Sequence, residues 1–302
     1  MKIAVTGATG FVGRYIVSHL AGRGHRIAAW RRPNSDVSGF ADSVDRSITW
    51  IEGDLGDDRA ARELVDGADA VVHAAIARVG DRFRGGEGDV LTFVERNVLG
   101  TLRLIERAKA EGVGRFVFIS TCAVHDEILA DRPLDEAHPT WSRSHYGAHK
   151  AAIEDFVASY GLGGRFPICA LRPCGVYGLA HPASRSKWFD LVRKVSEGEP
   201  VECRGGGKEV HAEDVARGVS LLLDADADSV MGRMFNCCDR YVSEYEVAEI
   251  ARKLAGADGP IAGEPGRPKN QIVTDRLRGL GMTFGGEARL EATIAQLVAA
   301  VR

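Results

Sequence analysis

Near its start the chain runs from a short apolar stretch, Ile3 to Val5, straight into Gly7, Gly10 and Gly13 and then into a helical pattern. That order is strand, glycine turn, helix. It leaves the first backbone N–H groups of the helix unpaired and partly positive at the end of a buried strand, an arrangement that holds phosphate. Gly7 allows the tight turn, Gly10 allows the backbone to approach a pyrophosphate, and Gly13 allows the helix to pack closely on the strand. A glycine triplet alone is weak, but this placement after a first strand points to a dinucleotide site.

The pattern continues as alternation. Ile27–Trp30, Ile48–Glu52, Ala70–His73, Phe116–Ser120 and Ile168–Arg172 read as short buried strands. Phe11–Ala21, Arg59–Val65, Val90–Ala110 and Ser144–Tyr160 read as helices between them. Strand–helix alternation gives right-handed crossovers and a parallel sheet covered on both faces. After Arg172 the pattern loosens. Residues 178–187, 202–208 and 256–268 read as loops. Glu213–Leu223, Ser243–Ala255 and Ala288–Val301 read as helices, and Met234–Cys237 as a strand. The expected organisation is an α/β, doubly wound parallel sheet over residues 1–178, with 209–237 returning to it. Residues 179–208 and 238–302 are expected to form a smaller C-terminal lobe that binds substrate.

Composition narrows the function. A 302-residue chain with 45% apolar and 27% charged residues is ordinary for a globular protein. A net charge of −3 gives no basis for nucleic-acid or membrane binding. No apolar stretch has the length of a membrane span, and the first strand leaves no room for a signal peptide. The six cysteines lack paired spacing, which argues against zinc and against a disulfide scaffold. A small-molecule enzyme of the cytoplasm is the expectation.

Tyr146 and Lys150 stand four apart at the start of a helical pattern and so share a face. A phenol is a poor base, with a pKa of about 10. A neighbouring ammonium favours the phenolate, which makes the pair a proton shuttle for a carbinol or carbonyl. Most such pairs are merely exposed neighbours. Thr121 strengthens the functional reading, because it ends a central strand at the edge where parallel sheets bind ligands. Its hydroxyl can hydrogen-bond an oxygen that gains charge.

These residues fall into a set of motifs that resembles the extended short-chain dehydrogenase/reductase family, the NAD(P)-dependent epimerase/dehydratase group. The segment from Thr6 to Gly13 is similar to its T-G-x-x-G-x-x-G, and Gly53-Asp54-Leu55 to its adenine-contacting segment. Val72-His73-Ala74-Ala75, Asn97-Val98-Leu99-Gly100-Thr101 and Ser120-Thr121 follow in order, then Tyr146-x-x-x-Lys150. Leu171–Gly178 and His211–Ala216 complete the set. The resemblance covers nearly the whole chain. It implies a Rossmann-type fold, with Tyr146 as acid/base, Lys150 lowering the tyrosine's pKa and holding the nicotinamide ribose, and Thr121 bonding the reacting oxygen. It implies cofactor contacts at Gly7, Thr9, Gly10, Phe11, Val12, Gly13, Asp54, Leu55, His73, Ala74, Ala75, Asn97, Ser120 and Pro173. For Asn97, a buried amide satisfied by backbone is the competing assignment. Many relatives dimerise through two helices of each subunit, and by that analogy the resemblance implies a homodimer.

Three departures bear on specificity. His125 stands where the family has tyrosine. Gly207 stands where sugar-nucleotide members carry a phosphate-gripping arginine, with only Lys208 beside it. Two loops are basic, one with Arg78, Arg82 and Arg84, the other with His181, Arg185 and Lys187. Arg78, Cys122, Ala123 and Arg185, with Thr121, are therefore expected to meet a substrate, and the basic loops favour an anionic one. The second strand ends in Arg31-Arg32 with no carboxylate, so a 2′-phosphate suits it better than a free ribose hydroxyl, and NADP is favoured over NAD. The expected activity is hydride transfer at a carbinol or carbonyl carbon, on a sugar or sugar derivative. A carbonyl/aldehyde reductase and a non-catalytic dinucleotide-binding regulator are the competing readings.

Overall fold

A computed structural model describes residues 1–80 and 84–302. Its strands are β1 (Lys2–Thr6), β2 (Arg26–Arg31), β3 (Ile48–Glu52), β4 (Ala70–His73), β5 (Arg115–Ile119) and β6 (Ile168–Pro173). The remainder are β7 (Gly175–Tyr177), β8 (Val201–Cys203), β9 (Gly206–His211), β10 (Met234–Cys237), β11 (Arg240–Ser243) and β12 (Ile261–Gly263). Seven of them form one sheet in the order β10-β6-β5-β4-β1-β2-β3, and every pairing in it is parallel. The strand order reverses at β1, between β2 and β4. This is the doubly wound, Rossmann-type sheet expected from the alternation, with β1 at the switch point where ligands bind.

The central strands are buried along their length, as a sheet covered on both faces requires. Leu64, Leu104, Ile105, Phe116, Phe118 and Ile153 are among the residues of its core. The chain divides into two compact units. The first comprises Met1–Pro173, Val215–Cys237 and Ile272–Met282; the second comprises Cys174–Asp214, Cys238–Gln271 and Thr283–Arg302. The second unit has its own core, including Tyr177, Val192, Val247, Leu290, Ile294 and Leu297.

Two expected loops are corrected. Residues 202–208 contain most of β8 and the start of β9, and 256–268 contain β12. β12 pairs with β8 in parallel, and β9 lies between β7 and β11. These strands are three to six residues long, too short and too glycine-rich to carry a legible period. The helix expected over 90–110 is interrupted by a π-helical turn, Glu95–Leu99. No described helix is long and apolar enough to cross a membrane.

Candidate active site and dinucleotide site

The glycine turn is built by close approach. Gly7 has φ +72°, and a Cβ there would lie 2.7 Å from the Ala74 carbonyl. A Cβ on Gly13 would lie 2.0 Å from the Gly7 oxygen. Gly10 is the N-cap of the Phe11–Gly22 helix, no side chain caps it, and its first turn holds no acid. The helix therefore presents uncapped N–H groups to whatever lies beyond the turn. Thr9, Phe11 and Val12 are half-buried around it. Arg14 ties the turn to the following loop through the carbonyls of Thr9 (3.3 Å) and Asp36 (2.6 Å).

Beyond the ends of β2 and β3 lies a cavity of about 610 Å³. Arg32, Ser35, Gly53, Asp54, Asp57 and Arg59 are among its lining residues. Arg32 lines it and Arg31 does not; Arg31 is the last residue of β2, in register with Glu52. Of the expected arginine pair Arg32 lines this cavity, and Arg59 lines it from the Asp58–Val65 helix. Asp54 accepts the Leu55 N–H at 2.8 Å and lies 3.8 Å from Arg96. Leu55 is buried.

The side chains of His73 and Asn97 are buried and turned inward. Thr101 donates its hydroxyl proton to the Asn97 carbonyl at 2.6 Å. Its oxygen can then only accept from His73 Nε2, 2.8 Å away. His73 is therefore the Nε2–H tautomer, and its Nδ1 accepts from the Thr6 hydroxyl at 2.6 Å. Burial, then the nearby Lys150 charge, pulls its pKa down to about 3. Asn97 gives its oxygen to Ala77 N–H and its nitrogen to the Ala77 and Phe93 carbonyls. Both side chains brace the β4 end against the π turn. Ala74 and Ala75 are anchored to Thr6, Ala74 N–H to its carbonyl and Ala75 N–H to its hydroxyl.

Tyr146, Lys150 and Thr121 do come together. Ser144 caps the His145–Ala158 helix by accepting the Gly147 N–H at 3.1 Å, and Glu87 accepts the Tyr146 N–H at the same distance. Gly147 brings this helix against the Cys122–Val124 turn; a Cβ there would lie 2.5 Å from the Ala123 carbonyl. Thr121 accepts the Ala123 N–H at 3.1 Å and is hydrogen-bonded to the Tyr146 phenol. Burial raises the phenol's pKa, while Thr121 and the charges of Arg84 and Arg78 pull it down. Lys150 is buried and donates to the Ile119 carbonyl at 2.7 Å, with its ammonium 4.4 Å from the Phe118 ring centre. Burial lowers its pKa to about 7, against a raising contribution from Glu154.

Sequence reasoning missed the groups behind this triad. Glu154 accepts from Ser120 and bidentately from Arg172 at 2.8 and 2.7 Å. His149 stands 5.5 Å from Tyr146, ring to ring, and is buried. The motif letters around Tyr146 and Arg172 mark these places, but a lone buried carboxylate on a helix carries no sequence signal. Cys122 is half-buried and donates to the Arg172 carbonyl at 3.0 Å. Pro173 ends β6 and is buried. His125 is buried as well, with Nδ1 3.0 Å from the Pro139 carbonyl, so it is a packed residue and not a surface one.

Of the basic loops, Arg84 pairs with Asp126 at 2.7 Å and Arg78 is half-buried. Arg82 lies outside the described residues. In the second unit Arg185 is exposed on the Ala183–Arg185 turn, whereas Lys187 is paired with the buried Glu209. Gly207 lies beside that carboxylate; a Cβ there would meet it at 2.7 Å.

The model of the "NAD dependent epimerase/dehydratase family" matches residues 3–238. The low-salt glycan biosynthesis protein Agl12 of Haloferax volcanii is 28% identical over 274 residues, 86% of this chain and 85% of that protein. The dTDP-glucose 4,6-dehydratase of Streptomyces antibioticus is 31% identical over 239 residues, 74% of this chain and 68% of that protein. Among solved structures, the UDP-glucose-4-epimerase of Stenotrophomonas maltophila, with bound NAD and formylated UDP-arabinopyranose, superposes with a TM-score of 0.80. It covers 99% of this chain and 98% of its own at 22% identity, a likeness of fold. The chain belongs to the NAD-dependent epimerase/dehydratase family and is an enzyme of the extended short-chain dehydrogenase/reductase type.

Proposed function

We propose that this enzyme is an NAD(P)-dependent oxidoreductase or epimerase acting at a carbinol or carbonyl carbon of a sugar or sugar derivative. The observation that carries the reading is the Thr121–Tyr146 hydrogen bond with Lys150 buried one helical turn on. In this reading Tyr146 exchanges a proton with the substrate oxygen, and Thr121 hydrogen-bonds that oxygen. The Lys150 ammonium favours the phenolate against the burial that opposes it. Cys122, Ala123 and Arg78 would meet the rest of the substrate.

The uncapped helix at Gly10 and the close approach at Gly7 and Gly13 suit a pyrophosphate, so the turn fits a dinucleotide. Asp54, Leu55, Ala74, Ala75, Ser120, Lys150 and Pro173 would complete its surroundings. A nicotinamide, when bound, supplies or accepts the hydride. NADP is preferred over NAD in this proposal, because Arg32 and Arg59 line the cavity beyond β2. A guanidinium forks onto a 2′-phosphate but cannot accept from a ribose hydroxyl.

The Gly207 neighbourhood supports a sugar, sugar acid or sugar phosphate over a nucleotide-linked sugar. Its neighbour is the carboxylate of Glu209. The relatives' names, UDP- and dTDP-glucose enzymes among them, favour the second reading. Exposed Leu99 and Phe156 are apolar faces that a homodimer would cover. A screen of sugars with both cofactors at 340 nm tests the chemistry. Net absorbance change marks a reductase or dehydrogenase, and sugar interconversion without it marks an epimerase. Tyr146→Phe should lower turnover by about 10²–10⁴-fold with cofactor binding kept. Turnover near the wild-type rate would take Tyr146 out of its role.

A further inference from the structure

Three successive residues at the end of β5 each engage the same helix. Ile119 accepts from Lys150, Ser120 donates to Glu154, and Thr121 bonds Tyr146. Glu154 lies one turn beyond Lys150 on one helix face. It is 2% exposed, and all its hydrogen bonds are to groups fixed elsewhere: both oxygens to Arg172 of β6, one also to Ser120.

A fork of this kind needs only Glu154 and Arg172 if its sole purpose is to satisfy a buried guanidinium. The Ser120 bond and the four-residue spacing from Lys150 go beyond that need. We infer that Glu154 is a positioning residue of this site: held by Arg172 and Ser120, its carboxylate is the counter-charge that keeps the buried Lys150 ammonium seated on the Ile119 carbonyl. The other groups around the ammonium offer no such charge. His73 and His149 are both held neutral by burial, each with a pKa lowered to about 3. Around Arg172, His125 is likewise neutral, its pKa lowered to about 4, and burial raises that of Glu136. Cys122 is a thiol. Glu154 is the carboxylate one helical turn from Lys150, and the two side chains are anchored on the successive residues Ser120 and Ile119.

The inference rests on the reading of Lys150 as part of the site, but its test needs no substrate. Lysine side chains labelled with ¹³C are titrated by NMR in the full-length protein, the Lys150 signal being assigned by its loss in Lys150→Met. Glu154→Gln should lower the Lys150 midpoint by about one pH unit, a tenfold change in its ionisation constant. Glu154→Asp should restore part of it. Because Glu154→Gln strands Arg172 and could unfold the chain, the double variant Glu154→Gln/Arg172→Leu removes both charges, and it should show the same downward shift. A midpoint unchanged in whichever of these variants is folded would overturn the inference and leave Glu154 as the partner of Arg172 only. Full turnover in Tyr146→Phe would instead overturn the catalytic reading without touching this titration.

Discussion

A single side chain in this site is defined by what its neighbours leave it free to do. Thr101 spends its proton on Asn97, which fixes His73 as a donor toward Thr101 and an acceptor toward Thr6. The histidine of the motif is thereby a brace. The same logic separates Arg31 from Arg32. Arg31 ends β2 in register with Glu52, while Arg32, the next residue, lines the cavity with Arg59. A charge-assisted contact is worth roughly 1.5–3 kcal/mol, about a 10- to 150-fold preference. NADPH should therefore bind more tightly than NADH by about that factor. Arg32→Ala and Arg59→Ala should each narrow the gap, and Arg31→Ala should change it less. Fluorescence titration of the four proteins checks this. Equal affinities for the two cofactors in the unmodified chain would sink it.

At the scale of elements, the site depends on how closely the His145–Ala158 helix sits on the end of β5. Gly147 sets that distance. A methyl group there would meet Ser142 Oγ at 2.0 Å and the Ala123 carbonyl at 2.5 Å. The carbonyl is backbone and cannot rotate away. Gly147→Ala should destabilise the protein by about 1–3 kcal/mol, as overpacking does. It should also cut turnover by more than the stability loss explains, because the Thr121–Tyr146 bond crosses the same contact. Gly22→Ala is the control: it ends a helix with nothing within 4 Å of its Cβ direction. It should be neutral or stabilising by up to about 1 kcal/mol. Denaturant melts with turnover on the same samples would decide. A Gly147→Ala protein as active and stable as Gly22→Ala would refute the close-approach argument.

The elements also mark what was legible in the sequence. The strands and helices of the parallel sheet repeat apolar residues at their own period, and glycine punctuates them, so β1 to β6 and β10 could be read almost to the residue. The Tyr146–Lys150 spacing and the β5 end could be read for the same reason. β8, β9 and β12 could not: β8 and β12 have only three residues each, and β9 opens on glycines and charged residues where the legible strands are apolar. Glu154, Arg59 and the Lys187–Glu209 pair lie far from their partners' chemistry in sequence, and only the fold brings them into use.

For the molecule as a whole, burial of ionisable groups sets how stability follows pH. His73 and His149 titrate near 3, and His125 and His211 near 4, all below the ordinary histidine value of 6.5 because each is buried. The unfolded chain takes up these protons below 6.5 and the folded chain does not until far lower. Stability should therefore fall as pH drops from about 6.5 toward 4. Lys150 extends the same slope upward. Its folded pKa is about 7 against an ordinary 10.5, so between those values the unfolded state binds more protons and stability rises with pH. Below 7 the folded protein carries the full penalty of a buried ammonium. Lys150→Met removes that penalty while leaving the Ile119 carbonyl without its partner, a smaller loss. The cofactor-free variant should thus melt roughly 2–5 °C above the wild-type protein at pH 6, converging on it as the pH approaches 10. In the proposed mechanism that same ammonium favours the Tyr146 phenolate, so the variant should also lose turnover. Calorimetric scans of both proteins across this range check the sign. A variant that melts below the wild type at pH 6 would mean that Lys150 stabilises the fold, and that its burial is not held at a cost for catalysis.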